Sequence, residues 1–393
     1  MSTIESTIKS LRAIDPSVLS DDDRFRLLDE LRATTRRAQS PWDVAWEHAW
    51  VDGVTKAAIK TLIDIGIFTK WAESGRMPMT TAQFAELTGA DPTLLKRLLR
   101  QVAAECLIAE VDKDTYASTP WALRLGTEPS FASIYGTFYH DIVTPAFLSL
   151  PFFLGAQDGG FKNPTALTKS NWQRVHGDDS TFFGFVSSDP LRNQHFADAM
   201  DCHSKGNFTS WVDLYDTSQI INARLDHPLV VDMGGSKGHD IEKFLQKHPE
   251  VPKSCLVLQD LPEVLENFTI NEGITVCPHD FFTPQPVKGA RVYYFHIVLH
   301  DWPDEAAINI LKNVRDAMEP GYSKILIHEV LVSDRFPSLT VTSLDLTMMA
   351  LFSTLERSEE QFNKLIDDVG GLRIAKVWKA RQAVESIIEV ERI

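Results

Sequence analysis

The residues of this sequence that could do chemistry fall into four groups, all in its C-terminal half. The first is Val231-Asp232-Met233-Gly234-Gly235-Ser236-Lys237-Gly238-His239, an apolar run ending in an acid and a glycine-rich turn. Glycines there let a ligand approach the backbone closely, and the helix that follows offers free N–H groups at its start. The second is Asp260, 22 residues past Gly238, where a carboxylate at a strand end can hold both hydroxyls of a ribose. The third is Asp280-Phe281, suited to an adenine amino group and ring face. The fourth is Val298-Leu299-His300-Asp301-Trp302-Pro303-Asp304-Glu305, directly after another apolar run. Ligands of open α/β sheets bind beyond the carboxyl ends of the strands, which puts His300 where a general base would act. Glu329 ends the next run and Glu356 follows 27 residues later. Carboxylates so placed can fix a histidine's tautomer and stabilise its imidazolium form, although by spacing alone Glu356 serves equally well as a surface charge.

The first three groups point to a nucleoside. The dinucleotide fingerprint GxGxxG does not fit the turn, and the P-loop pattern is absent. Acid–x–Gly–x–small–x–Gly is the pattern expected for S-adenosylmethionine, which has no phosphates to cradle. No metal site is expected.

These groups need elements to position them. Apolar runs at Leu229–Met233, Cys255–Leu258, Ile274–Cys277, Val292–Ile297 and Lys324–Ile327 alternate with amphipathic stretches such as Asp304–Met318. That alternation predicts an α/β fold, a mainly parallel sheet with helices on both faces. Upstream, residues 20–75 read as helices; Pro41 opens one that carries Trp42, Trp46 and Trp50 and runs to a break at Gly66. Such a stripe reads as core, or as a dimer interface if exposed. Met79 to Leu123 reads as helix–turn–helix followed by a small hairpin around Asp112-Lys113-Asp114, a winged-helix pattern. Lys96, Arg97 and Arg100 are its basic cluster in a chain of net charge −15, so packing or dimerisation is favoured over DNA binding. Residues 131–185 hold nine Phe, two Tyr and one Trp among interrupting Gly and Pro, a composition that suits either an apolar pocket or plain core.

At 393 residues, two domains or one with a large accessory part are expected. The four cysteines are too few and scattered for a disulfide framework, and neither a signal peptide nor a membrane span is read. A cytoplasmic protein follows, with neither nucleic acid nor membrane as partner.

From about residue 40 onward the chain resembles the plant- and fungal-type small-molecule O-methyltransferases. The resemblance rests on VVDMGGSKGH, LQDLP (Leu258 to Pro262), HDFF (His279 to Phe282), LHDWPDE and LERSEEQF. It implies a Rossmann-like class I methyltransferase domain behind an N-terminal helical winged-helix dimerisation domain, and a homodimer. The expected division is 1–125 for dimerisation and 126–393 for catalysis, with capping helices over 126–225 and the Rossmann-like core over 226–393. It also implies a cofactor site on Gly234, Gly235, Asp260, Asp280 and Phe281, and His300 as base with Glu329 and Glu356 behind it. An aromatic or polyketide-type natural product is the expected substrate. Two positions depart from the family: Ser236 stands where Gly is frequent, and His296 where Arg or Lys is common, making any cofactor contact there titratable. Some fungal members resemble pericyclases that keep the cofactor without consuming it, and place a pocket histidine where this chain has His140. His140 is alternatively a satisfied helix residue. Asp301 and Met348 stand with it as candidate substrate contacts. A non-catalytic protein that senses the cofactor is a third reading.

Overall fold

Val230-Val231-Asp232-Met233 is buried at every position, as a strand covered on both faces must be. The computed structural model, which describes residues 3–393 apart from 76, 158–159, 208–209, 225, 267–269 and 380–383, resolves into two compact units, Met1–Tyr135 and Gly136–Ile393.

The N-terminal unit begins with helices Thr3–Arg12 and Asp21–Ala38. Pro41 then opens a continuous helical stretch to Ile65, interrupted by one π-turn and stopped by Gly66 at φ 75°. Trp42, Trp46 and Trp50 along it are 64%, 47% and 49% exposed; Trp46 and Trp50 stack and Trp42 lies tilted against both, instead of entering the core. The core is made by the other face and its neighbours, among them Ile59, Leu62, Phe68, Trp71, Phe84, Leu95 and Leu99. Helices Thr81–Thr88 and Pro92–Ala104 precede strands β2 (Ala109–Asp112) and β3 (Thr115–Ala117), which turn at Lys113-Asp114. The short strand β1 (Met79–Thr80) pairs with β3 and completes a three-stranded sheet that the sequence pattern did not indicate. Asp114 in this wing accepts from Lys96 at 2.6 Å and lies 3.3 Å from Arg100, so two of the three basic residues already face a carboxylate.

The second unit is built on a seven-stranded sheet in the order β6-β5-β4-β7-β8-β10-β9. Its strands are β4 (Val230–Met233), β5 (Leu256–Gln259), β6 (Thr275–Val276), β7 (Val292–His296), β8 (Lys324–Val330), β9 (Leu372–Lys379) and β10 (Glu385–Arg392). The first five are mutually parallel; β10 runs antiparallel to both β8 and β9. Strand residues alternate between two cores. Val231, Met233, Phe295 and Ile327 pack with helices Asp304–Arg315 and Glu359–Val369, whereas Val230, Leu258, Tyr294 and Leu326 pack with helix His239–Lys247 and Trp211. That alternation is the signature of helices on both faces.

Ahead of the sheet lie the helices of the aromatic segment. Trp172, Phe182, Ile142 and Ala146 are buried against Ala350 and Leu351 of helix Leu339–Phe352, and the Asn171 amide donates to the carbonyls of Ala146 (2.8 Å) and Ala350 (2.9 Å). Phe152, Phe161 and Phe183 are exposed, so the segment is core only in part. Among the described residues no helix is long and apolar enough to cross a membrane.

Candidate active site

The glycine turn leaves β4 with Gly234 at φ 70°, Ser236 at 49° and Gly238 at 74°. A Cβ on Gly235 would fall 2.5 Å from the Asp232 carboxyl and from Leu258, and one on Gly238 2.6 Å from Ile270. The turn therefore lies directly on the strands beneath it, which only glycine permits. Asp260, at the end of β5, accepts from the Ser236 N–H at 2.8 Å and from its own neighbour Leu261 at 2.8 Å; burial raises its pKa. The Asp260 carbonyl accepts from His279 N–H at 2.9 Å, which ties the loop carrying Asp280 and Phe281 to the same rim. A Cβ on Gly234 would lie 3.8 Å from the Phe281 ring. So Gly234, Gly235, Asp260 and Phe281 are brought together, and Asp280, adjoining Phe281, caps its own loop through the Phe282 N–H. Asp232 beneath them has a buried Oδ2 with no hydrogen-bond partner, and burial, reinforced by the Asp240 charge, holds its pKa well above the usual carboxylate range. A cradle of glycine backbone, a presented carboxylate and an aromatic edge around an unsatisfied buried acceptor fits a nucleoside ligand with a cationic end.

His300 sits in a single 3-10 turn, Leu299–Asp301, immediately beyond β7. Its Nδ1 lies 3.0 Å from Glu356 Oε1 and its Nε2 3.4 Å from Asp301 Oδ1. Burial lowers the pKa of this imidazole, but the charges of Glu356, Asp301 and Glu329 outweigh it and push the value up to about 10. Asp301, half-buried beside it, is pushed up to about 7 by desolvation, against the opposing pull of His300. Glu329 plays a different part from Glu356: its Oε1 accepts the backbone N–H groups of Val298 (3.0 Å) and Leu299 (2.7 Å). It holds the turn, not the ring.

His296, the last residue of β7, is engaged at both nitrogens. Nδ1 is 2.5 Å from Asp240 Oδ2 and Nε2 3.2 Å from Glu385 Oε2. His328 stacks on it at 4.4 Å and turns its own Nε2 to Glu385 at 3.3 Å, with Tyr294 donating to its Nδ1 at 2.8 Å. Burial would lower the pKa of His296, yet Asp240 and Glu385 raise it well above that of an ordinary histidine; burial and the His296 charge keep His328 neutral. Met348 is buried in helix Leu339–Phe352, and its carbonyl accepts from Thr354 N–H, two residues before Glu356 in the chain. His140 lies in the irregular helix Ile134–Val143, its Nε2 buried without a hydrogen-bond partner and its ring edge-on to Tyr139.

Four polar residues around these sites were not singled out from sequence. Asp240 and His328 belong to an ordinary-looking helix and a buried strand. Glu385 opens β10, a strand whose apolar positions were not read as one. Arg357 had a signal, because it adjoins Glu356 in LERS.

A parallel sheet carrying a glycine turn after its central strand, acids after the next two strands, and an antiparallel strand inserted at the other edge defines a Rossmann-like class I methyltransferase fold. Residues 161–371 match the O-methyltransferase domain family, and the chain belongs to it. The O-methyltransferase mfmE of Annulohypoxylon moriforme is 34% identical over 389 residues, covering 98% of this chain and 95% of that protein. Among solved structures, one described as a pericyclic reaction enzyme superposes with a TM-score of 0.88 at 24% identity, covering 99% of each chain; at this identity the likeness is one of fold. OxaC in complex with SAH and oxaline superposes with a TM-score of 0.81 at 25% identity, over 99% of this chain and 97% of that one.

Proposed function

We propose that the chain is an S-adenosylmethionine-dependent O-methyltransferase that acts on a hydroxyl, phenolic in the first instance, of a small aromatic or polyketide-type natural product, with His300 as general base. S-adenosylmethionine supplies a sulfonium methyl that is already activated, so the protein contributes alignment and a nucleophilic oxygen. Gly234 and Gly235 line its amino-acid end, Asp260 takes the ribose, and Asp280 with Phe281 takes the adenine. Asp232, with its unpartnered oxygen, receives the ammonium group. His296 acts on Asp240, and through it on the helix behind the glycine turn. The cofactor in OxaC, SAH, is the demethylated form of the same molecule, which supports this reading.

The observation that carries the proposal is the 3.0 Å contact of His300 Nδ1 with Glu356. It fixes which nitrogen is left for an acceptor, and it stabilises the imidazolium once a proton has been taken. A phenol, with a pKa of about 10, matches a histidine raised to about 10, so proton transfer between them is close to thermoneutral. Such a base contributes on the order of 10²–10⁴ in rate. Asp301 beside Nε2 and Met348 near Glu356 flank the acceptor. Residues 126–225 cap it, residues 226–393 hold the donor and the base, and residues 1–125 pair two copies of the chain through the exposed Trp42, Trp46 and Trp50. A cytoplasmic location agrees with four free cysteines.

The test is incubation with methyl-labelled S-adenosylmethionine and a panel of phenols together with a fungal culture extract. Label should enter a small molecule with the wild type and not with His300→Gln; no label in any product would sink the proposal. A second reading is a cyclase or pericyclase that retains S-adenosylmethionine unconsumed. It is favoured by the buried, unpartnered Nε2 of His140, and in the same experiment it would give an isomer of the substrate while all label stays on the donor.

A further inference from the structure

Arg357 is almost wholly buried, and a guanidinium withdrawn from water is tolerated only where its donors are satisfied. Three of them are. Nη1 donates to the Leu299 carbonyl at 2.9 Å, Nη2 to the Trp302 carbonyl at 2.7 Å, and Nε to Asp304 Oδ1 at 3.0 Å. The two carbonyls bracket His300. On the other side of the same turn, Glu329 accepts the N–H groups of Val298 and Leu299. The turn is thus gripped by a cation at its carbonyls and by a carboxylate at its amides. Behind Arg357, its own carbonyl accepts from Val332 N–H at 3.1 Å, which ties the segment to the chain just past Glu329.

We propose that Arg357 is the positioning residue of the base, closing a hydrogen-bonded ring that fixes His300 against Glu356. The ring runs from Glu356 along the backbone to Arg357, through the guanidinium to the Leu299 carbonyl, along the backbone to His300, and through Nδ1 back to Glu356. The backbone that carries His300 cannot shift relative to the segment that carries Glu356 without straining a bond to Arg357. Lysine cannot replace it, because an ammonium on a flexible stem does not bridge two carbonyls and a carboxylate in one plane. Arg357 touches no reacting atom; it acts through the ring it positions. The inference rests on His300 being the base, and its structural part is testable without turnover.

The test follows the His300 imidazole by ¹⁵N NMR across pH in the wild type, Arg357→Lys and Asp304→Asn, alongside calorimetric titration with S-adenosylmethionine. Groups facing this ring are Glu356 and Asp301, Glu329 from β8, and Asp345 of helix Leu339–Phe352, which accepts from the Glu356 N–H. In Arg357→Lys the His300 midpoint should fall by more than one pH unit, because Glu356 is no longer held at contact, while S-adenosylmethionine affinity stays within about twofold. With an acceptor in hand, kcat should fall on the order of 10²-fold, the cost of a base displaced by about 1 Å, with KM for the donor unchanged. Asp304→Asn removes only the charge of the exposed anchor, its oxygen still being able to accept, and should move the midpoint the same way by less; it also serves if Arg357→Lys does not fold. A His300 titration identical to the wild type in whichever variants fold overturns the proposal. A wild type that transfers no methyl would remove the methyltransferase reading and leave the titration result standing.

Discussion

His296 and His300 lie four residues apart at the end of one strand, the first half-buried and the second buried, both against carboxylates, and their surroundings differ. His296 is closed: Asp240 takes one nitrogen, Glu385 the other, and His328 covers its face. The rings of His296 and His328 are within 16° of parallel and turn both Nε2 atoms onto one carboxylate oxygen. His300 is open: Glu356 fixes Nδ1, and Nε2 is left beside Asp301. A histidine becomes a candidate base by the nitrogen its surroundings leave available, and a raised pKa alone does not distinguish the two.

The largest effect should come from His300. Replacement by Gln is expected to lower turnover on the order of 10²–10⁴-fold, with S-adenosylmethionine binding, read by calorimetry, within about twofold of wild type. Binding and turnover lost together would place His300 with His296 as a structural residue. His296→Leu should do the reverse. It leaves the buried Glu385 without its cation and Asp240 with Lys243 alone, at 3.1 Å, a loss of about 3–5 kcal/mol in urea unfolding, while the fraction that stays folded keeps its labelled-methyl transfer within about tenfold. A His296 variant of wild-type stability would erase the contrast.

Acidity separates the pair next. In the free enzyme at neutral pH the proton is on His300, whose pKa is about 10, so kcat/KM should rise with pH through the neutral range as the ring becomes able to accept. Glu356→Gln should move that rise to lower pH and reduce the plateau. Stability should run the other way. His300 and His296 both have folded pKa values above the unfolded histidine value of about 6.5. The folded state therefore binds more protons, the stabilisation is complete below about pH 6.5, and it is lost as pH rises toward each folded value. The slope reaches about 1.4 kcal/mol per pH unit for each proton. Denaturant unfolding at pH 6 and pH 9 checks the sign; Glu356→Gln should flatten only the His300 share.

Much of this was legible in the sequence because the chemistry sits at strand ends. Apolar runs marked β4, β5, β6, β7 and β8, and the glycine turn, Asp260, Phe281 and His300 follow four of them directly. Glu329 was found for its position, but its contacts are to the backbone of the turn, a distinction that spacing cannot make. The His296 cluster was hidden, because His328 meets it through the parallel register of β8 on β7 and Glu385 through the antiparallel pairing of β10 with β8. In β9 the apolar alternation is broken by charged Arg373, Lys376 and Lys379, so that end of the sheet did not read as strand. The tryptophan stripe read as core, or as a dimer interface if exposed, and spacing cannot choose between them; its 47–64% exposure makes it an external face.

The smallest effect is a control on the comparison. Ser236 holds φ 49° in the middle of the glycine turn, a left-handed conformation that costs a side-chain-bearing residue roughly 1–2 kcal/mol. Asp240, the partner of His296, lies four residues on, in the helix that the turn opens. If the His296 cluster anchors that helix independently of the turn, Ser236→Gly relieves the backbone without touching either histidine. The Ser236 N–H bond to Asp260 survives, since it is made by the main chain. Part of the gain is offset by the greater freedom of glycine in the unfolded chain, about 0.5–1 kcal/mol. A net stabilisation of about 0.5–1 kcal/mol is expected, with both imidazole titrations unmoved by ¹⁵N NMR. A displaced His296 titration would mean that turn and cluster are one unit, and the division between a closed and an open histidine would have to be redrawn to include the cofactor cradle.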